Sequence, residues 1–326
     1  MKLSFLILSA MFSFSLFAQI NFEWGSPVTL QIPKIEMERI SVSDNRLLIR
    51  NEEEKVVHLL DWQGKLISNM GSEGSGAEIA VPFQVSWVPE KKQFLIYDAG
   101  YRSFLAWDND GKYLETKQTE LDYFFEVGTL LSLNDGYIAP ISLTQGRYLV
   151  GKYSPEFKPL KFEHELIDLT LADMSPTLRE TYITKVASNS GPLILAIQKL
   201  AKNVYVYDVD LNFVRSLTLN TKGWKNAKYK RLEKVSKNPK ALRRYQQFYS
   251  DIGGMQGLFG SVFIVGVRNL KDYSTYTYQC YDASNGLPVT NPFESTYVLM
   301  GAWRDTLWFM DPADDRMALI PCRVKR

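Results

Sequence analysis

Three features predict an all-β chain built by repeating one four-strand unit. Between residues 93 and 116, short apolar runs alternate with tight polar connections, and the second connection is Asn109-Asp110-Gly111. An Asp-Gly step suits a hairpin, because glycine tolerates positive φ and aspartate accepts local backbone hydrogen bonds. Gly64 and Gly111 fall in equivalent turns, and their separation of about 47 residues lies in the range of propeller blades. Aromatic residues make up 13% of the chain, with 18 Tyr, 18 Phe and 7 Trp, a bias that favours sheet. The unit fits six times. The expected fold is therefore an all-β six-bladed β-propeller, one domain over residues 19–326.

Ahead of that domain, residues 1–18 read as a signal peptide. Lys2 precedes an apolar and small stretch that ends at Ala18, and the chain turns polar at Gln19. The alternative is an N-terminal membrane anchor, for which the stretch is short. No other stretch approaches the roughly 20 apolar residues of a spanning helix. The mature chain is expected to be exported, periplasmic or extracellular, with no transmembrane segment after cleavage.

A lone strand is expected at 28–34. Unit one follows with strands at 37–42, 47–50, 56–60 and 65–68. Unit two takes 83–88, 94–97, 103–107 and a strand from 112. Unit three takes 127–133, 137–141, 147–153 and 157–162. Unit four takes 182–187, 193–197, 203–208 and 213–219. Unit five takes 252–256, 262–267, 273–281 and a weak strand near Val289. Unit six has 296–302, 306–310 and 317–324, and lacks a fourth strand. An open ring leaves unpaired edges. The lone strand is therefore expected to close the ring as the outer strand of unit six, paired with 317–324.

Over residues 64–113 the order Gly64-Lys65, Gly71, Gly74, Gly76, Pro82, Asp98, Asp110-Gly111-Lys112 resembles the repeat of the NHL-type six-bladed β-propellers. In that family a Gly-rich segment and a Pro lead into the inner strand. An Asp ends the second strand, and a turn of the D-x-D-G-K kind joins the last two. Asn51 stands where Asp98 does, and beyond residue 120 the likeness rests on strand rhythm. The resemblance implies an exported bacterial propeller and leaves its function open.

In such a ring, links joining strands one to two and three to four lie on one face, where every expected link is short. Links joining strands two to three, and one blade to the next, lie on the other. They include 71–82, 117–126, 163–181 and 220–251. Loops of that length are usually functional or disordered, so the long-loop face is the expected binding face. The longest, near 221–250, reads as a helical basic insertion. Between Lys222 and Arg244, seven lysines and three arginines meet one acid, Glu233. Helices are expected over 224–237 and from Pro239, where proline suits a first turn. The candidate ligand-binding residues are Arg231, Arg243 and Arg244, whose guanidinium groups can grip a carboxylate, sulfate or phosphate. Lys228 would add a less directional charge, and Trp224 and Tyr229 would stack on sugar or peptide. A solvated basic cap, with Trp224 as an anchor, is the other reading.

Net charge is +2, from 38 basic and 36 acidic residues, so no global field points to a nucleic-acid partner. Two histidines nearly exclude a histidine-built zinc site. His58 is expected to pack or hydrogen-bond inside the sheet, and His164 to lie at the surface of the 163–181 connection. No G-x-S-x-G, H-E-x-x-H or P-loop occurs, and no catalytic residue is assigned. The expected function is a binding or scaffolding propeller for a peptide, glycan or partner protein, with an anionic partner as an option and no cofactor. The alternative is a metal-dependent lactonase-like or sugar-processing propeller, with Asn51, Asp98, Glu126 and Asp311 approaching the axis and calcium as the metal. Asn51, Asp98 and Asp311 share one loop position, which in the NHL resemblance is structural. Cys280 and Cys322, both in apolar runs, fit either buried thiols or a disulfide.

Overall fold

The computed structural model describes residues 20–35, 37, 40–119, 130–140, 148–165, 180–221, 224–228, 248–270, 272, 274–313 and 317–326, together with 234, 238, 240, 241 and 244. The chain opens with β1 (Asn21–Trp24) and β2 (Val28–Thr29). Blade one is β3 (Ile40–Val42), β4 (Arg46–Asn51), β5 (Val56–Asp61) and β6 (Leu66–Met70). Blade two is β7 (Pro82–Val88), β8 (Gln93–Asp98), β9 (Ser103–Asp108) and β10 (Tyr113–Gln118). Blade three is β11 (Leu131–Leu133), β12 (Gly136–Pro140), β13 (Tyr148–Tyr153) and β14 (Pro159–Glu165). Blade four is β15 (Thr181–Val186), β16 (Leu193–Gln198), β17 (Asn203–Tyr207) and β18 (Phe213–Thr218). Blade five is β19 (Ile252–Gly257), β20 (Val262–Arg268), β21 (Tyr276–Asp282) and β22 (Phe293–Ser295). Blade six is β23 (Val298–Trp303), β24 (Thr306–Met310) and β25 (Ala318–Lys325). Each blade is one antiparallel sheet, and β1 and β2 complete the sixth by pairing with β25. The inner strands β3, β7, β11, β15, β19 and β23 touch in that order, and β23 returns to β3.

The ring closes as expected, but with different strand bounds. Asn21–Trp24 pair with Lys325 back to Cys322, and Val28 and Thr29 pair with Leu319 and Ala318. Gly25 N donates to Pro321 O at 2.8 Å between the two segments. Pro27 has no N–H and interrupts the ladder. Residues 30–34 leave the sheet, and Leu30, 4% exposed, drops into the core between blades six and one. In blade five the fourth strand is Phe293–Ser295; the weak pairing expected near Val289 is reduced to one bridge, Pro288 opposite Tyr281, with Val289 N donating to Cys280 O at 2.9 Å, because the prolines at 288 and 292 cannot donate to a longer ladder. The outer strand of blade three runs on to Glu165, so the backbone at His164 is strand and not connection.

The core is six sandwiched layers, one between each pair of neighbouring blades. Middle strands such as β8 are buried on both faces, which is why they read as unbroken apolar runs. Their outer neighbours alternate. A recurring turn joins third and fourth strands. The Asp61, Asp108 and Asp208 carboxylates accept the N–H four residues on, from Lys65, Lys112 and Asn212 at 2.9, 2.9 and 2.8 Å. Ser154 Oγ does the same for Lys158 at 3.2 Å. The residue at the fourth place has left-handed backbone: Gly64 and Gly111 at φ 81°, Phe157 at 60° and Leu211 at 55°. The two non-glycine residues are buried, Phe157 between the rings of Phe104 and Tyr137. Burying such a side chain contributes about 1.5–3 kcal/mol, which offsets a left-handed cost of about 1–2 kcal/mol.

The expected helical basic insertion is not an element of the described fold. Residues 224–228 are irregular, against an expected helix over 224–237. Among the described residues of the insertion, helical backbone occurs only at Lys234, Lys240, Ala241 and Arg244. The short helix expected at Ser175-Pro176 also lies outside it. Among the described residues no helix is long and apolar enough to cross a membrane.

Candidate functional site

All six inner strands run the same way along the axis, so their outgoing turns gather at one end. Those turns are residues 43–45, 89–92, 134–135, 187–192, 258–261 and 304–305, and they are the short links. Alternation in β7 buries Gln84, Ser86 and Val88 and leaves Val85 and Trp87 half-exposed toward the axis. The same logic in the other inner strands yields an axial cavity of about 240 Å³, walled by residues from all six. It reaches the short-turn face at Pro89, Leu258 and Arg304.

Two polar clusters flank this mouth. Lys185 Nζ donates to Ser132 O at 2.9 Å and lies 3.5 Å from Glu90 Oε1, while Ser132 Oγ donates to Glu90. Burial pushes the Glu90 carboxyl up, but the Ser132 hydrogen bond and the Lys185 ammonium outweigh it and hold the group below its ordinary value. On the other side, Trp303 Nε1 donates to Asp44 Oδ1 at 2.7 Å, and Arg304 Nη2 forms an ion pair with the same oxygen at 2.9 Å. Trp87 meets Trp303 edge-on with centroids 6.4 Å apart. Among the described residues the Trp87 indole N–H has no acceptor.

None of these residues belongs to the set expected from sequence. Trp224 and Lys228 are at the start of the insertion. Trp224 packs against the core between blades four and five and donates to Asn226 Oδ1 at 2.8 Å. Lys225 and Ser250 exchange hydrogen bonds of 3.0 and 3.1 Å that tie the two ends of the insertion together. Arg244 is described only as an isolated residue, and Tyr229, Arg231 and Arg243 lie outside the described residues.

The metal candidates are not brought together. Asp98, fully buried, accepts from the backbone N–H groups of Ala80, Val81, Gly100 and Tyr101. Asn51 accepts from Glu54 N at 3.1 Å and lies 3.2 Å from His58 Nε2. Asp311 accepts from Ala313 N. Each serves the turn of its own blade, and Glu126 lies outside the described residues. Among the described residues no group of three or more His, Cys, Asp or Glu could hold a metal ion. His58, 1% exposed, donates from Nδ1 to Asn69 Oδ1 at 2.7 Å, which is the hydrogen-bonding role its strand position suggested. Cys280 and Cys322 are free and buried, and burial pushes both thiols up to about 12.

The signal that could have found the axial residues was present. Trp303 ends β23 and Trp87 is next to the end of β7, each beside a short turn, where period-two alternation gives them the half-exposed face. Loop length drew attention to the opposite face.

Residues 31–282 match a family described as a 6-bladed beta-propeller, DUF5128. No curated protein matches the sequence. Among solved structures, a Bacteroides fragilis protein proposed to be exported superposes with a TM-score of 0.65 at 13% identity, covering 94% of this chain and 96% of its own. A DUF4221 member from Bacteroides vulgatus gives 0.62 at 6% identity over 94% and 98%. A streptogramin B lyase gives 0.51 at 9% identity over 95% and 99%. At these identities the likeness is one of fold.

Proposed function

The chain belongs to the DUF5128 family of six-bladed β-propellers, and from that premise we propose that it is an exported binding protein that engages its ligand at the short-turn end of its axis. The observation that carries this reading is the axial cavity to which all six inner strands contribute. Its mouth presents two indole rings beside a lysine and an arginine, the mixture of apolar surface and few directional groups that ligand sites favour. The charged groups there are already matched, Lys185 to Glu90 and Arg304 to Asp44. That arrangement suits recognition better than proton transfer or ligation of a metal. Export is supported by Lys2 and the apolar stretch up to Ala18.

Two experiments test this. Mass spectrometry of the natively produced protein should find a mature N-terminus near Gln19, and an intact Met1 on soluble cytoplasmic protein refutes export. A glycan and peptide array should give signals that fall with Trp87→Ala and Lys185→Met. A ligand bound equally by the parent and both variants overturns the axial placement.

A further inference from the structure

We propose that a groove on the outer rim of the ring, between the outer strands of blades five and six, is a second binding site and takes a neutral oligosaccharide. It shares no lining residue with the axial cavity. Its walls are β22 of blade five, the segment 288–292 that leads into that strand, and β1 of blade six with Gly25 and Pro27. Pro288 and Pro292 have no N–H to give a ladder, so the segment arches off β21 and β22 is only three residues long. Thr290 fixes the arch. Its Oγ1 accepts from Cys280 N and its O from Gln279 Nε2, each at 3.0 Å. The groove left beside the arch has a volume of about 1390 Å³. That exceeds the roughly 300–1,000 Å³ of sites for drug-sized molecules and suits a chain of several rings.

The groove is lined by aromatic rings from both blades. Phe22 of β1 meets Phe293 of β22 with centroids 4.8 Å apart. Beside them Trp24 contacts Phe309, Tyr297 and Phe293, at 5.0, 5.7 and 6.3 Å. These contacts are tilted or edge-on, so none of the three rings lies parallel on the indole. Trp24 remains 42% exposed, a large exposure for an apolar ring of its size. An indole fixed by its neighbours and open to solvent offers apolar surface to the C–H face of a pyranose. Covering it costs little side-chain freedom, because the ring is already ordered.

The polar groups around the rings select the ligand class. Asn291, Glu294 and Thr296 are exposed along the blade-five wall. The Asn291 and Thr296 side chains are not engaged by another described residue, and Glu294 accepts one long hydrogen bond, 3.4 Å, from Asn269 Nδ2. An amide and a hydroxyl both donate and accept, whereas a carboxylate only accepts. A ligand that answers all three must carry donors as well as acceptors, as vicinal sugar hydroxyls do. A proline-rich peptide suits the rings, but its backbone has carbonyls and no N–H, and it leaves Glu294 unanswered. Charge points the same way. Among the described residues lining the groove, Glu294 is the one charged side chain, so nothing there attracts an anionic ligand.

The test is calorimetry on the mature chain with cellohexaose, mannohexaose and chitohexaose as neutral probes, hyaluronan hexasaccharide as an anionic one, hexalysine as a cationic one and decaproline as a peptide. At least one neutral probe should bind. Trp24→Ala should weaken it by about tenfold, the scale of one lost ring contact. Asn291→Ala and Glu294→Gln, both on exposed side chains, should each weaken it by about fivefold, the scale of one hydrogen bond. These two carry the test if Trp24→Ala disturbs the closing strand. Tyr101→Ala removes a ring that is 59% exposed on blade two, outside both sites, and should leave binding unchanged. Binding that Trp87→Ala abolishes and the three groove variants spare overturns the groove and keeps the axial site. Binding that the groove variants weaken and Trp87→Ala spares supports the groove, whatever becomes of the axial site. Binding of hyaluronan, hexalysine or decaproline alone overturns the ligand class, and failure of every probe with the folded chain overturns the proposal.

Discussion

The closing strand rests on a single glycine, and that contact can be measured. Gly64 has φ 81°, and a Cβ built on it would lie 2.2 Å from Thr29 O of β2. The obstacle is backbone, so it cannot rotate away. Gln31 N also donates to Gly64 O at 2.8 Å. Gly64→Ala should therefore carry three costs. Left-handed backbone for an L-residue costs about 1–2 kcal/mol. Displacing a packed segment costs about 1–3 kcal/mol. The weakened hydrogen bond adds about 1 kcal/mol. The sum is about 3–6 kcal/mol, a large share of the 5–15 kcal/mol typical of a folded domain.

Gly74 supplies the control. Its φ is 78°, and nothing lies within 4 Å of its added Cβ. Gly74→Ala should show the backbone cost alone, about 1–2 kcal/mol. Urea unfolding followed by tryptophan fluorescence gives both numbers, read from the midpoint at constant slope. The difference between the two variants isolates the contact between turn and closing strand. Equal destabilisation would refute the packing of β2 on the blade-one turn.

Leu30→Ala should cost about 2–5 kcal/mol, because Leu30 is buried in the layer joining blades six and one; a variant that melts like the parent would contradict the closure. Lys152, buried, bonds Asp135 and Asp210 at 2.8 Å each and ties the turn regions of blades three and four. Its hydrogen bond is the main cause holding the Asp135 carboxyl below 3.8, and the two aspartates outweigh burial to lift Lys152 above 10.5. The stabilisation is thus complete between those values, is lost as pH falls through the depressed carboxyl, and is lost as pH rises through the raised ammonium. Lys152→Met should cost about 1–3 kcal/mol at neutral pH, and the gap from the parent should narrow at both extremes; a gap independent of pH refutes this. Cys280 and Cys322 should resist a thiol reagent at pH 8 in the native state and both react in denaturant, as their thiols are pushed up to about 12 by burial; labelling of the native chain refutes their burial.

The blade count was legible because middle strands buried on both faces give runs such as Phe94–Tyr97, and because the Asp61 and Asp108 turns carry glycine at the left-handed place. The likeness faded after residue 120 for a physical reason. Phe157 and Leu211 occupy that same place with positive φ, so the turn persists while its glycine mark is gone. Burial in the layer between blades substitutes for glycine, and burial is not visible in a linear string. The split of the closing strand could be read only once Pro27 was set against its partner strand. At the second-strand aspartate position, Asp98 accepts from four backbone N–H groups, those of Ala80, Val81, Gly100 and Tyr101.

The proposed axial mouth was less legible, because loop length and charge density were the strongest signals on the chain and both pointed to the long-loop face. Length marks where evolution can insert residues, whereas a cavity needs converging walls. Convergence comes from the inner strands, whose short outgoing turns leave the axial mouth open at the other end. The tryptophans follow the same geometry. Trp303 lines both the axial mouth and the cleft between blades six and one. A ring needs one seam, and the seam is where a strand from one end of the chain must lie against a blade from the other. Shape there is set by two distant stretches of sequence, so no local motif announces it.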